Sequence, residues 1–323
     1  MSIPLISIVM PAYNTELYIA QAIESIIAQT HTNWELLIAD DGSKDNTKAI
    51  IAQYNYDSRI KTFHNEKNIG YHNTCNKLLA LCKGDYLTFL DADDYCPNNR
   101  LTLQLQAFEN NPNLGMVGTS YEAVDMEGNF IHYKKKPTSY AEVLATMPNE
   151  NAFCGATMMF TRAIYNEFGG YRAFFQKYAY EDYDLAYRIC DKYECFNLEE
   201  PLYSYRQNIS SISKRISLSN YLCAQIVQYL AQLRAQFGKD DLDNNNIAAL
   251  EAKFEELKQP YNLDSSLIYR KYAGYFMYAK LYKSAIHASW QAIKHNPLKL
   301  DNYRTFLYCL RKGSFATAKS GAL

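Results

Sequence analysis

Two aspartates separated by one alanine, Asp91 and Asp93, close the run GDYLTFLDADD at residues 84–94, and Asp94 follows directly. Carboxylates held this close repel one another. The usual relief is a divalent cation, and hard carboxylate oxygens suit magnesium or manganese, which also bridge phosphate oxygens. In extended backbone, residues two apart share a face, so Asp91 and Asp93 would point the same way across Ala92. A plainer role is also open, because acidic residues favour the first turn of a helix and a helix can start near Asn98. Two further acidic pairs also have plain structural readings. Asp40 and Asp41 precede Gly42, the usual make-up of a turn, and Glu181 and Asp182 stand where a helical pattern begins and the macrodipole favours acids.

The elements that must position these carboxylates follow from the apolar periodicity. Residues 5–10 form an apolar run stopped by Pro11, after which Leu17, Ile19, Ala22, Ile23, Ile26 and Ile27 recur at helical spacing. The same alternation gives strands at 34–39, 60–63 and 86–90, with helices at 45–54 and 70–82 between them. Short apolar strands alternating with helices predict an α/β fold with a mostly parallel sheet covered on both faces, and in open sheets of this kind ligands bind beyond the carboxyl ends of the strands. Asp91 and Asp93 fall at such an end. Beyond residue 116 the pattern turns mixed: Glu127, Gly128 and Asn129 predict a hairpin turn, with further strands at 156–161 and 202–206 and helices at 162–168 and 180–192.

From about residue 216 onward strands disappear and amphipathic helices take over, which predicts a boundary near Lys214 and two regions, 1–214 and 215–323. Within the second, Ala273, Ala285, Ala292 and Pro297 stand at offsets resembling one tetratricopeptide unit; a helical hairpin packed on the first region is the plainer reading. A net charge of −1 gives no general electrostatic reason to bind nucleic acid or an anionic membrane, although local basic patches are not excluded. The eight cysteines form no CxxC pair and read as reduced, buried thiols. The start MSIPLISIVMPAYN lacks a basic leader and a membrane-length apolar run, so a cytoplasmic location is expected. Neither GxGxxG nor GxxxxGK is present, so any phosphate site must be built another way.

Four stretches taken in order, VMPAYN at 9–14, ADDGS at 39–43, LDADD at 90–94 and YEDYDLAYR at 180–188, resemble family 2 glycosyltransferases. The stretch PNNRLTLQLQAFENNPNLGMVGTS at 97–120 is similar to the branch of that family found in bacterial cell-surface glycan assembly. The resemblance covers roughly residues 3–214. It implies a GT-A nucleotide-sugar-binding fold and an inverting transfer, by metal-assisted single displacement, from a nucleotide donor. That donor is expected to be a UDP-sugar carrying N-acetylhexosamine, galactose or glucose. The implied acceptor is a hydroxyl of a growing lipid-linked surface glycan such as lipopolysaccharide or capsule. By the same resemblance Pro11 and Tyr13 flank the uracil, Asp41 accepts its N3 hydrogen, Asp91 lies at the ribose and metal, Asp93 holds Mn2+ or Mg2+ on the diphosphate, Asp182 is the base and Glu181 binds acceptor or donor sugar hydroxyls. Work at the inner face of the cell membrane, with peripheral membrane contact, follows as an expectation. Two positions depart from the family pattern: Cys75 stands where many relatives place arginine, and Asn208 where they commonly have histidine. His72 reads as an exposed loop residue rather than a replacement. A sugar-1-phosphate nucleotidyltransferase would need a glycine-rich basic loop after the first strand, and PAYNTELY supplies none. A non-catalytic sugar-nucleotide-binding scaffold is the remaining alternative.

Overall fold

The computed structural model of the chain describes residues 3–207, 216–278 and 281–320. The expected boundary near residue 214 and the departure at Asn208 lie outside the described residues. The chain divides into two compact units, Met1–Ile209 with Val227–Gly238, and Ser210–Ile226 with Lys239–Leu323.

In the first unit, β1 (Ile6–Ala12), β2 (Trp34–Asp40), β3 (Ile60–His64) and β4 (Tyr86–Phe89) pair in parallel in the order β3-β2-β1-β4. Helices α1 (Ile19–Ile27), α2 (Thr47–Ala52) and α3 (Tyr71–Leu81) make the crossovers. Every residue of β1 and β2 is buried, as the continuous apolar runs require of strands covered on both faces. The α1 stripe Ile19, Ala22, Ile23 and Ile26 is fully buried in the same core as Ile8, Met10 and Leu36; each such isoleucine is worth about 1.5–3 kcal/mol over its exposed state. Helix α4 (Arg100–Asn110) follows β4.

The sheet then becomes mixed. β5 (Leu114–Val124) and β6 (Phe130–Lys134) form the expected hairpin. Its turn is held by the Asp125 carboxylate, which accepts the Glu127 and Asn129 backbone N–H groups. β7 (Met159–Thr161) sits antiparallel between β4 and β5. It is shorter than the sequence suggests, because Gly155–Thr157 forms a 3₁₀ turn before it. β8 (Glu194–Arg206) runs parallel to β5 and starts well before the expected residue 202, its pairing interrupted by irregularities around Pro201. Its polar first half hides the strand from an apolar-run reading. Helices α5 (Tyr140–Thr146), α6 (Arg162–Phe168) and α7 (Glu181–Cys190) fill the connections. All eight cysteines are free and seven are buried.

Helix α8 (Leu218–Phe237) contributes residues to both units. The second unit otherwise consists of α9 (Ile247–Leu263), α10 (Leu267–Tyr278), α11 (Tyr282–His295) and α12 (Leu300–Ser320). Ala273, Ala285 and Ala288 meet Cys309 in its core, so small side chains set the spacing of α10, α11 and α12. Among the described residues no helix is long and apolar enough to cross a membrane.

The ADDGS turn shows how tightly the carboxyl edge of the sheet is built. Gly42 has φ +71°, and a Cβ there would lie 2.7 Å from the Lys67 carbonyl carbon. Gly169 has a similar φ of +68° but open space around it. Gly42→Ala combines backbone strain with a backbone clash, while Gly169→Ala carries the strain alone, of order 1–3 kcal/mol. The expected result is a clearly larger fall in melting temperature for Gly42→Ala. Equal falls would show that residues 67–68 do not press on this turn.

Candidate active site

The carboxyl ends of β1, β2 and β4 lie side by side, since Ala12 pairs with Asp40 and Val9 with Phe89. This puts residues 11–16, 40–43 and 90–94 on one edge. The β1–α1 loop is latched to the loop after β2: the Asn14 N–H donates to Ser43 Oγ at 2.9 Å, the Lys44 N–H to Asn14 Oδ1 at 2.9 Å, and the Thr15 N–H to Thr47 Oγ1 at 2.8 Å. Asn14 takes φ +52°, a left-handed conformation that asparagine tolerates better than most residues. Pro11 is buried and Tyr13 is exposed at this edge.

Asp40 and Asp41 have different jobs. Asp40 forms the turn, accepting the Ser43 N–H at 3.1 Å and facing His64 Nδ1 at 2.7 Å. Asp41 reaches away from its own turn. Its Oδ1 accepts Asn65 Nδ2 at 2.8 Å and the Ile69 N–H at 2.9 Å, and its Oδ2 accepts the Gly70 N–H at 2.9 Å. Asp41 therefore fixes the loop that enters α3. In that helix Cys75 is a fully buried thiol, pushed well above its ordinary pKa by burial and then by Asp91, so no cation stands at this position. The segment's own cation, Lys77, is committed to Asn65 Oδ1 at 2.7 Å. His72 is not the exposed loop residue expected. It lies buried in the first turn of α3, with Nε2 3.0 Å from the Arg172 carbonyl and its ring against Tyr171. His72, Cys75 and Leu79 share the inner face of the helix, which lies within the expected 70–82.

Asp91 and Asp93 also meet differently from the extended-strand expectation. β4 ends at Phe89, and the backbone turns, with the Asp94 N–H donating to the Asp91 carbonyl at 3.1 Å. The helix-start reading fails too, because α4 begins only at Arg100. The turn is held from β8: the Tyr203 hydroxyl accepts the Asp91 N–H at 3.2 Å and donates to Asp94 Oδ2 at 2.8 Å, while the Arg206 N–H donates to Asp94 Oδ1 at 2.6 Å. The Arg206 guanidinium, 3 % exposed, donates to the carbonyls of Asp93, Asp125 and Met126 and to Gln21 Oε1, and packs over the Tyr18 ring at 4.6 Å. Arg100, fully buried on the other side, binds Thr88 Oγ1 and the carbonyls of Phe89 and Ala156. Both guanidiniums bond neutral oxygens, so their charge remains available to the carboxylates electrostatically.

That charge is not enough. Burial and the neighbouring Asp93 push Asp91 up to about 7, and burial raises Asp93 despite Arg206. Asp94 is pushed well above its ordinary value by burial, Asp93 and Asp91. Asp91 Oδ1 accepts the Tyr71 hydroxyl at 3.0 Å, whereas the Asp93 carboxylate bonds no other described side chain.

The first turn of α7 brings Glu181 and Asp182 to the same place. Tyr180, just before it, takes φ +80°, a strained left-handed conformation for a bulky residue and the kind of outlier that gathers at functional sites. Burial, Asp182 and Asp91 together push Glu181 up to about 8. Asp182 is raised chiefly by burial. Its Oδ1 accepts the Tyr183 N–H at 2.7 Å and its Oδ2 accepts Asn151 Nδ2 at 3.1 Å. Lys136 Nζ in turn donates to the Asn151 carbonyl at 3.0 Å. A Cβ on Gly155 would lie 2.6 Å from Asp182 Oδ2, so only glycine leaves room for the carboxylate. Asp184, two residues on, is a structural group. It is fully buried between Arg172 and Arg188, which outweigh the burial cost and hold its pKa down. Arg206, Tyr203, Asn151 and Lys136 were not found from the sequence. The only local signal was an arginine ending the otherwise aromatic run Leu202 to Arg206.

In open α/β sheets ligands bind beyond the carboxyl ends of the parallel strands, and here that edge carries the latched loop pair and the buried carboxylate turn. Residues 7–169 match the family model described as glycosyl transferase family 2. The chain is 32% identical to the putative glycosyltransferase EpsE of Bacillus subtilis over 74% of this chain and 85% of that protein. It is 37% identical to the UDP-Glc:alpha-D-GlcNAc-diphosphoundecaprenol beta-1,3-glucosyltransferase WfgD of Escherichia coli over 41% of this chain and 52% of that one. The fold matches TarS 1-349 of S. aureus, solved in complex with UDP-GlcNAc, with TM-score 0.58 at 17% identity over 95% of this chain and 92% of that one. The chain belongs to glycosyl transferase family 2 and has the GT-A fold that the four motifs implied.

The raised Glu181 gives a pH test. Its folded-state pKa of about 8, against an ordinary 4.5, means the folded protein holds a proton that the unfolded chain has released. Stability from this group is therefore greatest at low pH and falls as pH rises from about 4.5 through about 8. In chelator and without nucleotide, Glu181→Gln should flatten the decline of melting temperature across that window. Superimposable wild-type and variant slopes would show that Glu181 ionises freely in the folded state.

Proposed function

We propose that this protein is an inverting glycosyltransferase that moves a sugar from a UDP donor to a hydroxyl of a lipid-linked bacterial surface glycan, with Asp182 as general base and a divalent cation, Mn2+ or Mg2+, held by Asp93 and Asp91. The observation that carries the reading is the convergence of Asp91, Asp93, Glu181 and Asp182 in one buried place, where the nearby Arg100 and Arg206 guanidiniums are bonded to neutral oxygens. The raised pKa values of Asp91 and Glu181 already record like-charge repulsion here, and a nucleoside diphosphate would add to it, so the reading assigns its neutralisation to a cation from outside the chain. The donor set fits one: hard oxygens, with Asp93 uncommitted. Among the described residues no three histidine, cysteine or acidic side chains are grouped so as to hold an ion by themselves, so phosphate oxygens and water would have to complete its coordination. Bound there, the cation would neutralise the departing diphosphate.

The chain's own residues do the rest. Pro11 and Tyr13 frame the base, and Asp41, already fixing the loop at 69–70, presents its remaining acceptor capacity to the uracil N3–H. Asp182 takes the proton of the attacking hydroxyl. Burial raises its pKa toward working pH, which improves a base, while the Tyr183 N–H, Lys136 and Asn151 keep it ionisable. A cavity of about 350 Å3 lined by Lys134, Lys136, Glu142, Glu150 and Asn151 adjoins it through Asn151, and we assign it to the acceptor. Glu181, placed beside Asp182, hydrogen-bonds sugar hydroxyls. Support for the donor and acceptor classes comes from likeness to TarS, solved with UDP-GlcNAc, and to WfgD, whose named acceptor is a diphosphoundecaprenol-linked sugar. The chemistry is assigned to the region before about residue 214, working at the inner face of the cell membrane.

The two carboxylates separate by experiment. Asp93→Ala should abolish manganese-dependent UDP binding by calorimetry along with UDP release from a panel of UDP-sugars. Asp182→Asn should keep UDP affinity and lower transfer by roughly 10²- to 10⁴-fold, the usual worth of a general base. Turnover above about a tenth of wild type in Asp182→Asn lies outside that range and would remove the base from Asp182. Full UDP affinity in chelator would remove the metal.

A further inference from the structure

The charge of the chain is unevenly distributed. It is −1 overall, yet residues 267–323 hold ten lysines and arginines against the single acid Asp301. This stretch comprises α10, α11 and α12, and several large apolar side chains on α11, α12 and the turn between them stay in solvent. Leu298 is 93% exposed, Leu300 71% and Leu307 64%, with Trp290, Tyr303 and Tyr308 each more than two-fifths exposed.

The arrangement is ordered. The α11–α12 connection presents Leu298, Lys299 and Leu300 at its tip, all exposed. Along α12, Leu300, Tyr303 and Leu307 follow at three- and four-residue spacing and form one outward stripe, with Arg304, Tyr308 and Arg311 forming the next. Trp290 of α11 rests against the Phe306 ring at 5.6 Å, with Lys294 over its indole. Among the described residues Arg304 pairs with Asp301, and Lys283, Lys299, Arg311 and Lys312 are exposed without an acidic partner. A solvated helix face needs cations but not leucines at its tip. A protein-binding groove needs apolar side chains but not this one-sided charge.

We propose that the α11–α12 tip and the outer face of α12 dock on an anionic lipid bilayer, leucines and aromatic rings entering the interface while lysines and arginines meet lipid headgroups. Exposed leucine and tryptophan beside unpaired cations is the composition of interfacial helices, and each cation near such a surface contributes enough to raise binding about fivefold. The proposal rests on the membrane-face part of the proposed function and not on the donor or base assignments, so a failed vesicle test is distinguishable from a failed transfer or UDP-binding test.

Trp290 supplies the readout, because the other tryptophan, Trp34, is 2 % exposed. The full chain is mixed with vesicles of phosphatidylcholine alone, or with about a third phosphatidylglycerol, and followed by co-sedimentation and indole emission. Expected are binding and a blue shift with the anionic vesicles only, weakened on raising salt from about 0.1 M to about 1 M, which shortens screening from about 10 to about 3 Å. The variant Lys299→Gln/Arg311→Gln/Lys312→Gln, all at exposed positions, should keep its melting temperature and bind about a hundredfold more weakly, at about fivefold per cation. Leu298→Ser/Leu300→Ser should diminish the blue shift. Absence of vesicle binding, or equal binding to neutral and anionic vesicles, overturns the proposal. So does a concentration-dependent dimer that the leucine variant dissolves without any lipid binding, which would assign the face to a second copy.

Discussion

The constraint on which this site depends is the cost of holding carboxylates out of water at the end of β4. An isolated buried carboxylate either neutralises by shifting its pKa or finds a counter-charge. Here the chain does some of each and completes neither. Arg206 and Arg100 lie behind the turn, but their hydrogen bonds go to carbonyls and neutral side chains, so they stabilise the backbone of residues 88–94 without occupying the acidic side chains. Direct ion pairs would have left Asp93 neutralised and closed. Carbonyl-bound guanidiniums make the turn rigid and keep Asp93 open.

The same economy distinguishes two aspartates on one helix. Asp182 and Asp184 are two residues apart, which on an α-helix places them on nearly opposite sides. Asp184 is fully buried and held by Arg172 and Arg188, tying α7 to the loop at 168–172. Asp182 meets only Asn151 and a backbone N–H. Environments that push two carboxylates' pKa values in opposite directions mark which one is available for proton chemistry, and here the low-pKa group anchors the one beside it.

The legible parts of the site were those carried within a few residues of chain. LDADD and ADDGS announced themselves because strand end, turn residue and carboxylates are contiguous, and the parallel β1–β4 core followed from its apolar runs. Tyr203 and Arg206 escaped notice because they act on a turn more than a hundred residues earlier, and nothing in single-sequence periodicity encodes which strand end faces which turn. Asn151 and Lys136 escaped for the same reason. His72 was misread although a signal existed: His72, Cys75 and Leu79 repeat at helical spacing inside the helix expected at 70–82, which puts His72 on its buried face rather than in a loop. The expected extended alignment of Asp91 and Asp93 failed because β4 stops at Phe89, one residue before the last leucine of the apolar run.

How the site is built also explains why the motifs are silent about substrate identity. The side that the proposed function gives to the nucleotide is shaped by backbone: N–H groups of residues 14, 15, 44, 69 and 70 are locked by short side chains, and Gly42 admits a backbone contact that no other residue would. Such a framework tolerates little variation, which is why it can be read as a motif. The opposite side, around Lys134, Lys136, Glu150 and Asn151, is made of long or polar side chains lining an open cavity. Under the proposed function that is where the acceptor is chosen. A surface of this kind can change its preference by single substitutions without disturbing the sheet, so the sequence declares the reaction more plainly than the sugar.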